Sequence, residues 1–224
     1  MSTAKTRRVW GIGTPRTLRV HWILAELGLE YETREILPHS DSMSSPEFKA
    51  LSERGKVPLF EDGELMIGES AAIVLYLADR YRDFKALVPP PGTDARASHA
   101  DLCFFVMTEM DAILYVLRRH EGPLSAVYGE SRVACDAARA YFLRSAGELE
   151  RRLADGRPYL VGDIFCVADL LLKTCLDWAD FVGIQLPDPL ESYSQTIAER
   201  PAYATAMSIN FTPAAMAALA GDDR

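Results

Sequence analysis

The sequence predicts two bodies joined by a stiff linker, an α/β body followed by an all-helical one. Three observations lead there. Up to Tyr81 short strand-like and helix-like segments alternate, the run Ala86-Leu-Val-Pro-Pro-Pro-Gly-Thr93 interrupts them, and beyond it the apolar residues recur only with helical spacing. Consecutive prolines donate no backbone hydrogen bond and favour an extended polyproline geometry, which makes that run a linker. The expected boundaries are residues 1–83, a linker over 84–93, and residues 94–224. A chain of 224 residues is long enough for two such bodies.

In the first body, residues 8–11 read as a strand, 17–27 as a helix ended by Gly28, and 31–36 as a second strand. A loop with a short helix opened by Ser45-Pro46 follows. Pro58-Leu-Phe-Glu61 and Leu65-Met-Ile67 flank Asp62-Gly63, a strong hairpin signal because both central residues of a type I′ turn need positive φ. A helix over 70–81 closes the body, giving the order βαβ, hairpin, α. In the second body, helices are expected over 94–120, 130–153 and 166–182, with shorter pieces after Pro189 and Pro201. Within 94–120, Leu102, Phe105, Val106, Ile113 and Leu117 mark the predicted buried face, leaving Met107, Met110, Asp111 and Leu114 off it.

Composition excludes several classes of function. The net charge is −8, and it divides as −2 over residues 1–83 and −6 over the rest, so no basic domain exists to overcome phosphate repulsion; nucleic acid is not an expected partner. The apolar runs are short against the ~20 residues of a membrane-spanning helix. Lys5, Arg7 and Arg8 give a basic start, but Thr14, Arg16 and Arg19 interrupt the apolar stretch that a signal peptide requires, so a cytoplasmic protein is expected. Cys103, Cys135, Cys166 and Cys175 form no C-x-x-C pair and read as reduced, mostly buried thiols. His99 and Cys103 stand four apart on a helix, with no third or fourth ligand in view, so no metal is expected.

The residues that can carry chemistry lie mostly in the first body. Thr14-Pro-Arg-Thr17, between the first strand and the first helix, repeats the spacing of a C-P-x-C redox motif with hydroxyls in place of both sulfurs. Either Thr14 or Thr17 can cap the helix, and a hydroxyl there can donate to an anion that the helix dipole also favours. Ser70 opens the last helix of this body as a predicted N-cap, and the N–H groups of a helix start suit a carboxylate. Glu69 can pair a ligand ammonium, Lys56 a second carboxylate, and His39 lies in the loop before the short helix.

Taken together, Thr14-Pro-Arg-Thr-Leu-Arg-Val20, Gly55-Lys-Val-Pro58 and Gly68-Glu-Ser-Ala71 resemble the soluble glutathione transferase superfamily. Gly162-Asp-Ile-Phe-Cys-Val-Ala-Asp169 and Glu199-Arg-Pro-Ala-Tyr203 extend the resemblance over most of the chain. It implies a thioredoxin-like N-terminal domain that binds glutathione and an all-α C-terminal domain that supplies the pocket for a small hydrophobic electrophile. It further implies a cis bond at Val57-Pro58 that presents the Val57 backbone to a bound peptide, a γ-glutamyl carboxylate held by Ser70, and a homodimer. His39 is placed towards the glycine end of glutathione, and Met107, Met110, Asp111 and Leu114 where they overlook Thr14.

This chain departs from the family pattern at three places. Thr14 stands where Tyr, Ser or Cys is usual. Arg54-Gly55 replaces a frequent Asn-Pro. Cys166 replaces a Ser or Thr cap, so Asp169 is expected to lose its reciprocal partner. The activity implied is conjugation of the glutathione thiol to an electrophilic carbon, with Thr14 or Thr17 stabilising the thiolate. A non-catalytic glutathione-binding module and a glutathione-dependent disulfide reductase or peroxidase are the alternatives.

Overall fold

In the computed structural model, which describes residues 7–122 and 124–221, strand β1 (Arg7–Trp10) leads through a glycine-bearing loop into helix α1 (Pro15–Leu27), and β2 (Glu32–Arg34) returns parallel to β1. Two short helices, α2 (Asp41–Ser44) and α3 (Pro46–Leu51), precede the hairpin of β3 (Leu59–Asp62) and β4 (Leu65–Gly68), and α4 (Ser70–Arg80) follows. The sheet order is β2-β1-β3-β4, with β3 antiparallel to both neighbours. This is the βαβ, hairpin, α order of a thioredoxin-like domain.

Local chemistry sets the ends of α1. Pro15 occupies its first turn, where a missing N–H is harmless, and Gly28 closes it in the left-handed region at φ 63°, donating to the Leu24 and Ala25 carbonyls. Between those ends the helix is covered almost all round: Leu18, Val20, Trp22, Ile23 and Leu24 are fully buried. That coverage comes from α4 and from a helix far along the chain.

The second body contains α5 (Asp94–Phe105), a π-helical segment (Val106–Asp111), α6 (Ala112–His120), α7 (Ser125–Tyr128), α8 (Arg132–Leu153), α9 (Val167–Phe181) and α10 (Asp188–Ala198). Helix α9 is its centre, apolar and covered on every side by the helices around it. Spacing predicts a single α-helix over 94–120; the structure instead interrupts it with the π segment, and the buried face differs accordingly. Leu102, Val106, Met110 and Leu114, each four apart, are all covered, while Phe105 and Ile113 are only half-buried. Successive steps of four overshoot an α-helical turn, and the wider i→i+5 turn absorbs the drift. Met110 and Leu114 therefore belong to the covered face, contrary to the reading from sequence.

The last two helices, α11 (Pro201–Asn210) and α12 (Pro213–Gly221), fall outside the partition drawn from the sequence. Among the described residues, one compact unit comprises those up to Ala86 together with Arg200–Ala220, and the other Leu87–Glu199. The cause is chemical. Glu26 of α1, its side chain 2% exposed, accepts from Arg200 Nε and a second Arg200 nitrogen at 2.6 and 2.8 Å, from Lys85 Nζ at 2.6 Å and from Trp22 Nε1 at 3.1 Å. Burial raises the Glu26 carboxyl pKa, and the Arg200 and Lys85 bonds outweigh it, so the net shift is downward. Tyr203 packs edge-on to Trp22 at 4.9 Å between ring centroids.

The start of α9 departs from expectation as well. Asp169, fully buried, keeps its reciprocal partner: the Cys166 N–H donates to it at 2.8 Å and the Cys166 thiol at 3.1 Å, joined by the Leu160 N–H at 2.7 Å and the Tyr193 hydroxyl at 2.6 Å. A thiol is a weak donor, and here it is buried against an acceptor that is a carboxylate. All four cysteines are buried thiols.

Candidate functional site

Three segments of the first unit meet around the loop that leads into α1. Gly11 holds φ +119°, and a Cβ there would stand 2.6 Å from the Val57 Cβ and 2.9 Å from the Thr17 methyl, so only glycine lets these segments close together. The loop is fixed to the scaffold by its backbone: Gly11 N–H to the Arg34 carbonyl at 2.9 Å, Ile12 N–H to the Ile36 carbonyl at 3.1 Å and Gly13 N–H to the Asn210 carbonyl at 2.9 Å. His21, fully buried, adds a fourth tie. Its Nε2 donates to the Gly11 carbonyl at 3.1 Å, which leaves Nδ1 to accept from the Tyr31 hydroxyl at 2.9 Å. Burial, opposed in part by the Gly11 bond, pushes the His21 pKa down to about 4, so the ring is neutral near pH 7.

Thr14 is the N-cap of α1 and Thr17 its reciprocal partner. Thr14 Oγ1 accepts from the Thr17 N–H, and Thr17 Oγ1 accepts from the Thr14 N–H, both at 3.0 Å. Their surroundings differ. Thr14 is half-buried, whereas Thr17 is fully buried and its hydroxyl lies 2.6 Å from Asn210 Oδ1. Asn210 Nδ2 donates to the Thr14 carbonyl at 3.0 Å. The Thr17 hydroxyl thus ties the loop to the Asn210 side chain.

The Val57–Pro58 bond is cis. Pro58 is buried and Val57 half-buried. No hydrogen bond among the described residues uses the Val57 backbone N–H or C=O. The turn before it is braced by Ser52, whose hydroxyl accepts from the Lys56 N–H at 3.2 Å and donates to the Lys56 carbonyl at 3.3 Å. The Lys56 side chain is exposed, as is His39, which sits at φ 61° in the loop before α2.

At the head of α4 the N-cap is Glu69, at φ 63° and ψ 110°, and its side chain caps nothing; Ser70 is the first helical residue, not the predicted cap. A non-glycine residue at such φ is uncommon and strained, and such residues concentrate where ligands bind. Glu69 pairs with Arg54 at 3.0 Å, both well exposed. The Ser70 hydroxyl, 3% exposed with its residue, accepts from Arg19 at 3.2 Å, and Arg19 is itself fully buried on α1. Sequence reasoning missed Arg19 and Asn210. Neither carried a signal in the sequence, where each is a polar side chain on a helix.

In the second unit, Met110, Asp111 and Leu114 are buried and Met107 is half-buried, all within or next to the π segment. Glu109 of that segment accepts from the Tyr141 hydroxyl. His99 and Cys103 are both buried, with Sγ 3.7 Å from Nε2, and no group of three metal-ligating side chains occurs among the described residues.

The arrangement suits an extended anionic peptide: a pair of backbone groups at Val57 without partners, a hydroxyl backed by a buried guanidinium at Ser70, and a hydroxyl at the head of α1. Residues 6–79 match the Glutathione S-transferase N-terminal domain, and residues 105–201 its C-terminal domain. Glutathione S-transferase 1 of Schizosaccharomyces pombe is 31% identical over 174 residues, spanning 76% of this chain and 72% of that protein. A crystal structure of a glutathione transferase from Methylococcus capsulatus is similar at TM-score 0.80 and 25% identity, covering 92% of this chain and 98% of that one. A second, the glutathione transferase URE2P6 of Phanerochaete chrysosporium in complex with oxidized glutathione, has TM-score 0.81 and 24% identity over 94% and 98% of the two chains. The two matched segments together account for most of the chain, and the protein belongs to the glutathione S-transferase family.

Proposed function

We propose that the protein conjugates the thiol of glutathione to a small hydrophobic electrophile, with Thr14 as the hydroxyl that stabilises the thiolate. The inequality of the two threonines supports this reading. Thr17 Oγ1 has one proton and a 2.6 Å acceptor for it in Asn210, while the Thr14 hydroxyl, half-exposed at the positive end of α1, accepts the Thr17 N–H and keeps a proton that rests on Thr17 Oγ1 at 2.9 Å and can pass to a stronger acceptor such as a thiolate. Glutathione supplies the sulfur that attacks the electrophilic carbon. Thr14 lowers the energy of the charged form, Val57 pairs the peptide backbone, Ser70 meets the γ-glutamyl carboxylate, and Glu69 and Lys56 lie where an ammonium and a second carboxylate would be met. Met107 is the pocket candidate that keeps exposed surface.

A hydrogen bond to a charged acceptor is worth roughly 1.5–3 kcal/mol, which is about one to two units of thiol pKa. Thr14→Val removes the donor and should raise the pKa of the bound thiol by about that amount, read from thiolate absorbance against pH, while Thr14→Ser keeps it low. The cap lost in Thr14→Val lowers thermal stability by about 1 kcal/mol and leaves the sulfur titration alone. An unchanged titration in Thr14→Val rules Thr14 out.

The second reading, a glutathione-dependent disulfide reductase, draws on the oxidized glutathione held by the Phanerochaete relative. Turnover at fixed glutathione with aryl halides, disulfides and hydroperoxides separates the readings. Activity confined to the last two substrates would replace the first reading, and activity with none would leave a binding module. Dimer formation is part of the same family-based reading.

A further inference from the structure

We infer that Asn210, near the far end of the chain, is a positioning residue for the Thr14 hydroxyl; the inference rests on Thr14 being the thiolate donor. The carbonyl of Thr14 can only accept, so the Asn210 atom 3.0 Å from it is the amide nitrogen, and Oδ1 must face Thr17 Oγ1. Oδ1 in turn can only accept, so the single Thr17 proton is directed to it. That contact, at 2.6 Å, is shorter than the 2.9 Å approach of Thr17 Oγ1 to the Thr14 carbonyl, the ordinary local acceptor.

Two consequences follow for Thr14. Thr17 Oγ1 stands 2.9 Å from Thr14 Oγ1, and with its proton committed to Asn210 it can only accept there, so the Thr14 proton rests on Thr17 Oγ1 until a stronger acceptor such as a thiolate draws it away. Thr14 therefore carries the only hydroxyl proton of the pair that a ligand can take. Second, Asn210 grips the loop at both residues that set the direction of that hydroxyl: its own carbonyl accepts the Gly13 N–H at 2.9 Å, and its amide donates to the Thr14 carbonyl. Asn210 is fully buried at the end of α11, so these bonds are shielded from competing water. The geometry of a loop between β1 and α1 is thus set by a side chain about two hundred residues away in sequence.

The test is a double-mutant cycle on the full chain with bound glutathione, read as the pH titration of thiolate absorbance. Asn210→Leu keeps the side-chain volume and removes both amide contacts while leaving the backbone bond to Gly13; Asn210→Ala is the second variant in case the leucine disturbs packing. We expect either one to raise the bound thiol pKa by roughly half to one unit, and to add nothing in the Thr14→Val background. A titration unmoved by the Asn210 variants, when Thr14→Val does move it, overturns the positioning role and leaves Thr14 standing. A shift that persists in full in the Thr14→Val background also overturns it, because Asn210 then acts by another route. If Thr14→Val itself shifts nothing, the donor assignment fails, and this inference with it. Loss of cooperative melting in both variants would make Asn210 a folding determinant and likewise end the positioning claim.

Discussion

Ser70 and Arg19 act as one unit, and their variants should show it. The guanidinium donates to the Ser70 oxygen, so the Ser70 proton is not used on Arg19. Ser70→Ala removes the proposed ligand donor and no helix cap, though it also takes one acceptor from buried Arg19, so glutathione affinity measured by calorimetry should fall about tenfold, a larger effect than the accompanying loss of stability. Equal affinity in the variant would show that the carboxylate is held elsewhere. Legibility at this scale followed residue chemistry. Thr14 and Ser70 could be singled out because a hydroxyl beside a helix start serves either as a cap or as a donor to an anion, although Ser70 proved to be the first helical residue and not the cap. Arg19 and Asn210 were not legible, since a charged or amide side chain on a helix usually points to water, and only the covering helices reveal that these two do not.

Among the elements, the hairpin and the C-terminal end of α1 were the most legible, because the glycines Gly63 and Gly28 act locally. The π segment was not, since a wide turn inside a helix has no residue signature beyond steps of four from Leu102 to Leu114. The start of α9 was misjudged for a related reason: the Tyr193 hydroxyl, 24 residues beyond Asp169, and the Leu160 backbone N–H, which any residue could supply, join the thiol in satisfying Asp169, and neither leaves a signature in the motif. Burial raises the Asp169 carboxyl pKa and the four donors oppose that shift. Replacing Asp169 by Ala orphans all four at once. We expect a loss of about 3–5 kcal/mol in unfolding free energy by urea titration, against roughly 1 kcal/mol for Cys166→Ala, which removes only the weakest donor.

At the scale of the molecule, acid should loosen the protein through His21. Its folded pKa of about 4 lies below the ordinary 6.5, so between those values the unfolded chain binds more protons than the folded one and stability falls as pH drops. The span corresponds to about 3 kcal/mol, present in full above pH 6.5 and lost as pH approaches 4. Urea unfolding at several pH values should show this slope in the parent and not in His21→Gln. The two-body plan was legible from the proline run and the change of periodicity. The return of α11 to the first unit was not, because it depends on a buried carboxylate in α1 matched by Arg200, a pairing that only the folded chain brings together.

That pairing has a consequence for synthesis. Residues up to 86 leave the ribosome first, but the helix that covers α1 begins at 201, about 110 residues later, or on the order of ten seconds at ordinary translation rates. Through that interval the nascent α/β body holds Trp22 without its aromatic neighbour and Glu26 without its guanidinium, and the Thr14 loop without Asn210. The part made first is the part finished last, so a chain released before residue 200 leaves the loop proposed to bind glutathione unassembled.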